Sequence, residues 1–371
     1  MIYLDNAATT KIDDRVFEIM KPYLTNEFGN PSSKYYVIAN NASDAVKEAR
    51  KNLAELLGSN PDELIFTSGA TESNNFIIKG VADKYKEQGN HIITSSIEHK
   101  SVISTCNYLE KQGYEVTYIE PDTNGVISPE DVEKSIKDNT ILISLFWGNN
   151  EIGSLNDIEK ISEIVSNNSI LFHTDATQVV GKIDIGLSSS NIDFLSMSGH
   201  KIHGPKGIGI AYIAEDEYGF KNKITPLLHG GEQEYNLRAG TLPVHNIVGI
   251  GKAAEIANKE KKDYITKIKE LENYFKNELK NIKPNAIFNG DQNNKIPGII
   301  NITVPGINNE FFIKEIKDEI AISTGSACSI TEPSHVLKAI GLNEREIMAT
   351  LRISISKYND KEHLTKLLDQ F

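Results

Sequence analysis

Cysteine is nearly absent from this chain, which has two among 371 residues, Cys106 and Cys328. Two cysteines cannot build a disulfide framework, and their surroundings do not resemble a zinc site. No metal site is therefore predicted. So few thiols also fit a compartment in which cysteines stay reduced.

Basic residues are outnumbered as well. The chain has 39 Lys and Arg against 51 Asp and Glu, a formal net charge of −12. This balance argues against direct binding to nucleic acid or to an anionic membrane surface, because both carry negative charge. It permits a basic partner protein.

Long apolar runs are missing too. The longest, "ILISLFW" from Ile141, has the length of a buried strand and is far short of the ~20 residues that span a membrane. The N-terminus, "MIYLDNAATT", lacks the basic and apolar regions of a signal peptide. We therefore expect a cytoplasmic protein.

The chain does contain a regular alternation of helical and strand patterns. Residues 42–57 have helical spacing, residues 63–67 form a short apolar strand, and a helix is predicted from Thr71. The alternation continues to about residue 213. It predicts an α/β fold with a mostly parallel sheet that helices cover on both faces. Such sheets bind ligands beyond the carboxyl ends of their strands.

The length and the later pattern predict two domains. A charged helical stretch at 245–282 precedes mixed strands and helices at 308–319 and 360–371. The predicted units are a large domain at 14–255 and a smaller α+β domain formed by 1–13 and 256–371.

A lysine follows one predicted strand in "LSMSGHKIHGPKGIG". Lys201 lies where a catalytic group would lie, and in a desolvated pocket its amine could form an imine with an aldehyde cofactor. An isolated lysine beside a turn is more commonly a surface residue. Lys206 is a competitor, but its place within the turn favours exposure to solvent.

A second motif, "FTSGATESNN", leads from a strand into a helix. The free N–H groups at Ala70 and Thr71 and the helix dipole would suit a phosphate group, with the Thr71 hydroxyl as an added donor. The motif is not a Walker A loop. Taken alone, such a helix start is more simply an N-cap.

Three further strand ends carry polar residues. Asp175 in "FHTDATQ" could hold a protonated ring nitrogen, and Gln178 could reach a phenolic oxygen on the same ring. His99 in "SSIEHKSV" could stack on the ring and transfer protons. Asn149 and Asn150 in "WGNNEIG" would present exposed amides for polar recognition. Each has an ordinary alternative as a capping, loop or turn residue. Their convergence at one sheet edge points to pyridoxal phosphate as the cofactor.

The ordered motifs resemble the NifS/IscS-type cysteine desulfurases, in the aspartate-aminotransferase-like (fold type I) group of pyridoxal-phosphate enzymes. They are "YLDNAATT", "FGNPSS", "TSGATESNN", "EHKSV", "NNEIG", "DATQ", "HKIHGPKGIG", "RAGTLPV" and "TGSACS…EPSHVL". They cover nearly the whole chain, and no single one is specific.

The resemblance implies a role for each matching residue. Lys201 would bind the cofactor covalently, His99 would stack on its ring, Asp175 would pair with the ring nitrogen and Gln178 would contact the phenolic oxygen. Substrate would contact Asn150 and Arg352, whose guanidinium can grip a carboxylate bidentately, with Asn30 as a further candidate. The phosphate group would be held by Ala70, Thr71, Ser198, His200 and, from the other subunit of a homodimer, Thr241.

The implied reaction converts L-cysteine to L-alanine and leaves the sulfur on Cys328 as a persulfide. Lys201 would remove the α-proton, the Cys328 thiolate would attack the substrate sulfur, and His99 would serve as acid or base nearby. Acceptor proteins in iron–sulfur cluster assembly, tRNA thiolation or DNA phosphorothioation are the implied destinations of the sulfur. Cys106 lies in a helical segment and is predicted to be structural, since free cysteine is often buried.

The chain departs from the family pattern after Cys328. Only "SIT" (329–331) separates this cysteine from "EPSHVL", where relatives have a longer run of small residues. A short tether limits the reach of the thiol, and the β-branched Ile330 favours extended backbone. We therefore predict that Cys328 is restrained and held away from the cofactor in the resting enzyme.

Two alternative functions remain at this point. The first is another fold-type-I lyase or aminotransferase, such as a selenocysteine lyase, whose activity on cysteine would survive loss of Cys328. The second is a binding or scaffold subunit that keeps the fold and has lost catalysis.

Overall fold

The computed structural model describes residues 1–216, 219, 223–324 and 333–371. Cys328 and the predicted restraint of its segment lie outside these residues. Within them the strands are β1 (Ile2–Tyr3), β2 (Leu64–Thr67), β3 (His91–Ser95), β4 (Glu115–Ile119), β5 (Thr140–Phe146), β6 (Leu171–Asp175), β7 (Phe194–Ser198), β8 (Gly209–Ile213), β9 (Ile287–Asn289), β10 (Ile299–Thr303), β11 (Ile320–Ala321) and β12 (Thr350–Ser354).

Helices separate most of these strands. The α-helices are α1 (Asp14–Thr25), α2 (Val37–Leu57), α3 (Ala70–Tyr85), α4 (Lys100–Glu110), α5 (Pro129–Ser135), α6 (Ile158–Asn167), α7 (Val244–Ile282), α8 (Asn309–Ile316), α9 (His335–Ala339), α10 (Glu344–Met348) and α11 (Lys361–Leu368). The predicted helix from Thr71 begins one residue earlier, and the predicted charged helix at 245–282 is α7.

A seven-stranded sheet forms the centre of the molecule, in the order β2-β8-β7-β6-β5-β3-β4. Strand β8 runs antiparallel to both neighbours, and the other pairs are parallel. Every residue of β5 and of β7 is buried, as expected of a sheet covered on both faces. The predicted α/β fold with a mostly parallel sheet is confirmed.

The second half of the chain adds smaller sheets. Strands β12, β10 and β9 form an antiparallel sheet, and β1 pairs in parallel with β11. A separate apolar cluster underlies them and includes Leu4, Phe275 and Leu351. Helix α7 contributes its first half to the large apolar cluster and its second half to this one. The predicted domain boundary at 255/256 stays a prediction.

None of the helices along the described ranges is long and apolar enough to cross a membrane.

Candidate active site

A cavity of about 500 Å³ opens at the carboxyl ends of the central strands, where a parallel sheet of this kind binds its ligands. The sequence-predicted residues that line it come from several strands and helices far apart in the chain. They are Ala70, Thr71, His99, Asn150, Asp175, Gln178, Ser198, His200, Lys201 and Arg352.

Two predicted residues do not line this cavity. Thr241 is exposed and follows Gly240, and Asn30 is exposed in the turn before α2, where its side chain accepts a hydrogen bond from the Ser32 N–H. Both residues lie away from the cavity of their own chain. That Thr241 serves the cavity of a second subunit stays a prediction.

Lys201 ends a short 3₁₀ turn that begins directly after β7. Its Nζ donates to the carbonyl oxygens of Ala7 (2.6 Å) and Ala8 (2.8 Å) in the N-terminal segment. The fold therefore places the lysine amine at the cavity and directs it with two backbone carbonyls. Lys206 also lines the cavity, but it is exposed as predicted.

Asp175 is the last residue of β6 and is 7% exposed. Its Oδ1 accepts the backbone N–H of Thr177 (3.0 Å), and its Oδ2 accepts Nδ2 of Asn74 (2.8 Å). The carboxylate is therefore oriented by two neutral donors, and no cation is among its hydrogen-bond partners in the described part of the chain. Such a group favours a positively charged ligand atom, because a buried charge is costly until it is paired.

His99 is the N-cap of α4 and is linked to Asp175 through two side chains. Asn74 also donates to the Ser101 hydroxyl (2.8 Å), which lies 2.7 Å from Nδ1 of His99. Nδ1 accepts the backbone N–H of Ser101 (3.1 Å), so the neutral imidazole carries its proton on Nε2. Burial lowers the pKa of His99, and the charge of Lys201 contributes in the same direction against an opposing effect of Asp175.

The start of α3 has the features of an anion site. Its N-cap, Gly69, has φ +151° and provides no side-chain cap. The first N–H groups of a helix have no partners within it, so those of Ala70 and Thr71 favour a negatively charged group. A Cβ on Gly209 of β8 would lie 2.6 Å from the Gly69 Cα, which explains the glycine in the neighbouring strand.

Ser198 and His200 lie on the β7 side of this helix start. The His200 Nδ1 is 3.0 Å from the Thr9 hydroxyl. Burial lowers the pKa of His200 to about 4, helped by the charges of Lys201 and Lys206. His200 is thus a neutral hydrogen-bonding group at neutral pH.

Arg352 lies in β12 and is fully buried. Its guanidinium pairs with Asp5 (2.7 Å) and donates to the carbonyl oxygen of Asn150 (3.1 Å). The predicted substrate-binding pair of Asn150 and Arg352 is therefore in direct contact at the cavity.

Asn149 also lines the cavity, but it differs from the prediction of an exposed amide, since it is 2% exposed. Its Oδ1 accepts the N–H groups of Glu151 (2.8 Å) and Ile152 (3.2 Å), and its Nδ2 donates to the Ile97 carbonyl (3.2 Å). A tight turn directly after β5 needs these bonds, so Asn149 is a turn residue.

Cys106 is fully buried in the apolar cluster under α3 and α4. Burial raises the pKa of its thiol to about 12, and the nearby Glu98 and Glu110 add to the effect. The predicted burial of Cys106 is confirmed, and a neutral, inaccessible thiol is unreactive.

Sequence patterns did not predict several residues that organise the site. Asn74 and Ser101 connect Asp175 with His99, the carbonyls of Ala7 and Ala8 direct Lys201, and Asp5 pairs with Arg352. The motifs "ESNN" and "YLDNAATT" contained Asn74, Asp5 and Ala7, but their partners lie too far along the chain to be inferred from spacing.

These residues fit pyridoxal phosphate by their chemistry. The buried Asp175 carboxylate suits a protonated ring nitrogen, the uncapped helix start suits a phosphate, and the Lys201 amine suits an aldehyde. The buried Thr177 hydroxyl, on a residue that lines the cavity, has no hydrogen-bond partner among the described residues. A polar ligand in the cavity is consistent with that atom.

Comparisons with known proteins agree with this chemistry. The family model "Aminotransferase class-V" matches residues 2–367. A protein named cysteine desulfurase IscS, from Salmonella paratyphi B, is 43% identical over 99% of this chain and 91% of its own length. That coverage is nearly complete on both sides.

Solved structures of similar proteins extend the agreement to the fold. A NifS-like protein has a TM-score of 0.92 at 36% identity, covering 100% of this chain and 97% of its own. SspA in complex with cysteine has a TM-score of 0.84 at 40% identity, and the match covers 97% of this chain and 100% of the SspA chain. DndA from Streptomyces lividans has a TM-score of 0.82 at 36% identity, and the match covers 94% of this chain and 98% of the DndA chain. The chain belongs to the class-V aminotransferase family and, within it, to the pyridoxal-phosphate-dependent cysteine desulfurases of the NifS/IscS type.

Proposed function

We propose that this protein converts L-cysteine to L-alanine, holds the sulfur on Cys328 as a persulfide and passes it to an acceptor protein. The observation that carries the proposal is the convergence of Lys201, Asp175, His99 and the start of α3 on one cavity. The cysteine in the structure of SspA, 40% identical to this chain, supports the substrate.

The cavity residues would hold the cofactor by complementary charge and hydrogen bonding. Asp175 would pair with the ring nitrogen, Gln178 would donate to the phenolic oxygen, His99 would stack on the ring and Lys201 would bind covalently. Ala70, Thr71, Ser198 and His200 would hold the phosphate group. Bound pyridoxal phosphate supplies an electron sink for the negative charge that develops at the substrate α-carbon.

The protein's own groups would then act in sequence. Arg352 and Asn150 would hold the substrate carboxylate. The substrate amine would displace the Lys201 amine from its covalent bond, and the freed amine would take the α-proton. The Cys328 thiolate forms a bond to the substrate sulfur as the carbon–sulfur bond breaks, and that bond's electron pair goes to the carbon skeleton. His99, with its proton on Nε2, serves as the acid beside this step, and Lys201 returns a proton as alanine forms.

The first test separates the two cysteines. After incubation with L-cysteine, mass spectrometry should find one added sulfur atom on the Cys328 peptide and none on the Cys106 peptide. Cys328→Ser should lose this adduct and form alanine at least about 100-fold more slowly, because a hydroxyl is a poor nucleophile toward sulfur. Cys106→Ser is the matched control and should retain both activities.

The same experiment judges the alternative functions. Alanine formation at the normal rate by Cys328→Ser would indicate a lyase that does not use the thiol, such as a selenocysteine lyase. Absence of both alanine and visible cofactor absorbance in the wild type would indicate a scaffold subunit. The relatives named as cysteine desulfurases favour neither alternative.

We also propose that two copies of the chain form the complete site. Thr241 is exposed and lies away from the cavity of its own chain, while Phe28 (68%), Tyr35 (95%) and Val37 (71%) expose large apolar side chains. A homodimer that covers these side chains would place Thr241 at the phosphate of the other subunit.

A mixed dimer tests this arrangement. Thr241→Val should weaken cofactor affinity by roughly tenfold, the effect of one hydrogen bond to a charged group. At limiting cofactor, a dimer of one Thr241→Val chain and one Lys201→Ala chain should recover about half of the wild-type activity, since one of its two sites is intact. No recovery above the two parent homodimers, or a monomeric wild type in solution, would contradict a shared site.

The sulfur acceptor is proposed to be a protein, because the net charge of −12 opposes direct approach to nucleic acid. Proteins of iron–sulfur cluster assembly, tRNA thiolation and DNA phosphorothioation are the candidate classes, and the enzyme would meet them in the cytoplasm. Transfer of labelled sulfur from Cys328 to one purified acceptor and not to the others would identify the class.

A further inference from the structure

A second lysine lies near Lys201 and has no part in the proposed reaction. Lys182 is 9% exposed and follows β6 in the turn that contains Gln178. Burial lowers the pKa of its amine to about 7, and the charge of Lys201 contributes. A buried lysine with so large a shift calls for a specific partner.

Among the described residues, no carboxylate forms an ion pair with this amine. Glu260 lines the same small cavity of about 40 Å³ as Lys182 and Lys201. Its carboxylate is engaged by Arg15 (2.5 Å) and Lys357 (3.6 Å). Charge pairing therefore does not explain the position of Lys182.

The polar contact of Lys182 is with Gln178, whose side-chain amide is held at both ends. Nζ of Lys182 lies 3.4 Å from Oε1, and Nε2 donates to the Ala7 carbonyl oxygen at 2.9 Å. The same carbonyl accepts from Lys201 at 2.6 Å. A flipped amide would place two acceptor oxygens, Oε1 and the Ala7 carbonyl, against each other. The observed orientation is the one in which every oxygen meets a donor.

We propose that Lys182 is a positioning residue for Gln178, holding Oε1 so that the Nε2 hydrogens face Ala7 and the cofactor cavity. The inference rests on the proposed function, in which Gln178 donates to the phenolic oxygen of pyridoxal phosphate. Without Lys182, Oε1 would be a buried acceptor with no donor, which costs enough free energy to make another rotamer competitive. The N–H group aimed at the cofactor would then be lost.

Several other titratable or charged residues line the two cavities. They must be the same in all the variants that are compared, because they also influence the cofactor. Behind Lys182 and Lys201 these groups are His203, Glu260, Tyr264 and Lys357. On the cofactor side they are Glu72, His99, Asp175, His200, Lys206 and Arg352. Substitution of Lys182 alone leaves all of them in place.

The test compares Lys182→Met with the wild-type holoenzyme and with Lys295→Met. Lys182→Met should raise the dissociation constant for pyridoxal phosphate about tenfold at pH 8.5 and move the pH midpoint of the cofactor's visible band upward by about one unit. The midpoint rises because loss of a donor to the phenolic oxygen destabilises the more negative form. Lys295 has a side chain that is 9% exposed, pairs with Glu272 and lies outside both cavities. Lys295→Met should therefore lose thermal stability but keep the wild-type dissociation constant for pyridoxal phosphate and the wild-type pH midpoint of the visible band.

A double-variant cycle shows whether Lys182 acts through Gln178. Gln178→Ala should resemble Lys182→Met, and adding Lys182→Met to it should change the affinity by less than about twofold, since coupled residues are not additive. If Lys182→Met does not fold, Lys182→Gln keeps a shorter N–H donor and enters the same cycle, with an intermediate affinity expected.

The outcomes separate this inference from the function on which it rests. A wild type with no visible cofactor band would overturn the proposed function itself. A wild type that binds the cofactor, with Lys182→Met within twofold of it in affinity and at the same pH midpoint, would overturn the role of Lys182 alone. A further tenfold loss in the double variant would also overturn it, because Lys182 would then act independently of Gln178.

Discussion

Replacement of Lys201 by alanine is expected to lower the rate of alanine formation from L-cysteine by about 10³- to 10⁴-fold, the range for loss of a positioned acid–base group. Lys201 ends the turn after β7, and its amine is held by the carbonyls of Ala7 and Ala8 at the cavity. Lys206 also brings an amine to the cavity, but among the described residues only the Lys201 amine donates to these two carbonyls. Steady-state assays of alanine at saturating cofactor measure the loss.

Lys206 is the natural control for this prediction, because it lines the same cavity and is exposed. Borohydride reduction of the holoenzyme followed by peptide mapping should find the cofactor on Lys201 and not on Lys206. Lys206→Ala should keep the covalent adduct. Cofactor attached to Lys206, or an adduct that survives in Lys201→Ala, would refute the assignment.

Replacement of Asp175 by asparagine is expected to slow exchange of the substrate α-proton by about 10²- to 10³-fold, typical of the loss of one preorganised electrostatic group. Asparagine has nearly the same shape but no charge to stabilise a protonated ring nitrogen. It also has one acceptor oxygen where Asp175 uses two, for the Thr177 N–H and the Asn74 amide. Exchange in deuterated water, followed by NMR, measures the step directly.

The matched control is Asp193→Asn, in the same sheet. Asp193 precedes β7, at the end of the strand remote from the cavity, and pairs with Lys223 at 2.7 Å. Its variant should lose some stability and leave exchange unchanged. The cofactor affinity of Asp175→Asn should fall by no more than about tenfold, the effect of one hydrogen bond. If the rate of α-proton exchange and the cofactor affinity fell by the same factor in Asp175→Asn, Asp175 would contribute to cofactor binding only.

The principal elements of the fold could be predicted from the sequence, because apolar periodicity reports burial. The apolar run from Ile141 indicated a buried strand, which is β5. Boundaries were less accurate where no cap marks them. Helix α2 begins at Val37, with no side-chain cap at Tyr36, five residues before the predicted start.

Much of the candidate site could be predicted for a related reason. Carboxyl ends of parallel strands meet at one edge of a sheet, so polar residues that follow strands, such as His99, Asp175 and Lys201, are expected to be neighbours. The prediction of an exposed amide was wrong for Asn149, because a spacing cannot distinguish a side chain that faces solvent from one whose polar atoms bond to the backbone of a turn. The structure makes that distinction through three backbone hydrogen bonds.

By itself the sequence determined the α/β fold class, the family motifs and the identity of ten residues that line the cavity. Only the tertiary structure decided how those residues are oriented. Asn74 meets Asp175 from 101 positions away, and Lys201 meets Ala7 from 194. The physical reason is that periodicity and turn chemistry depend on near neighbours in the chain, whereas hydrogen bonds between distant segments depend on how the elements pack. The link from Lys182 through Gln178 and Ala7 to Lys201 exists only after that packing is complete.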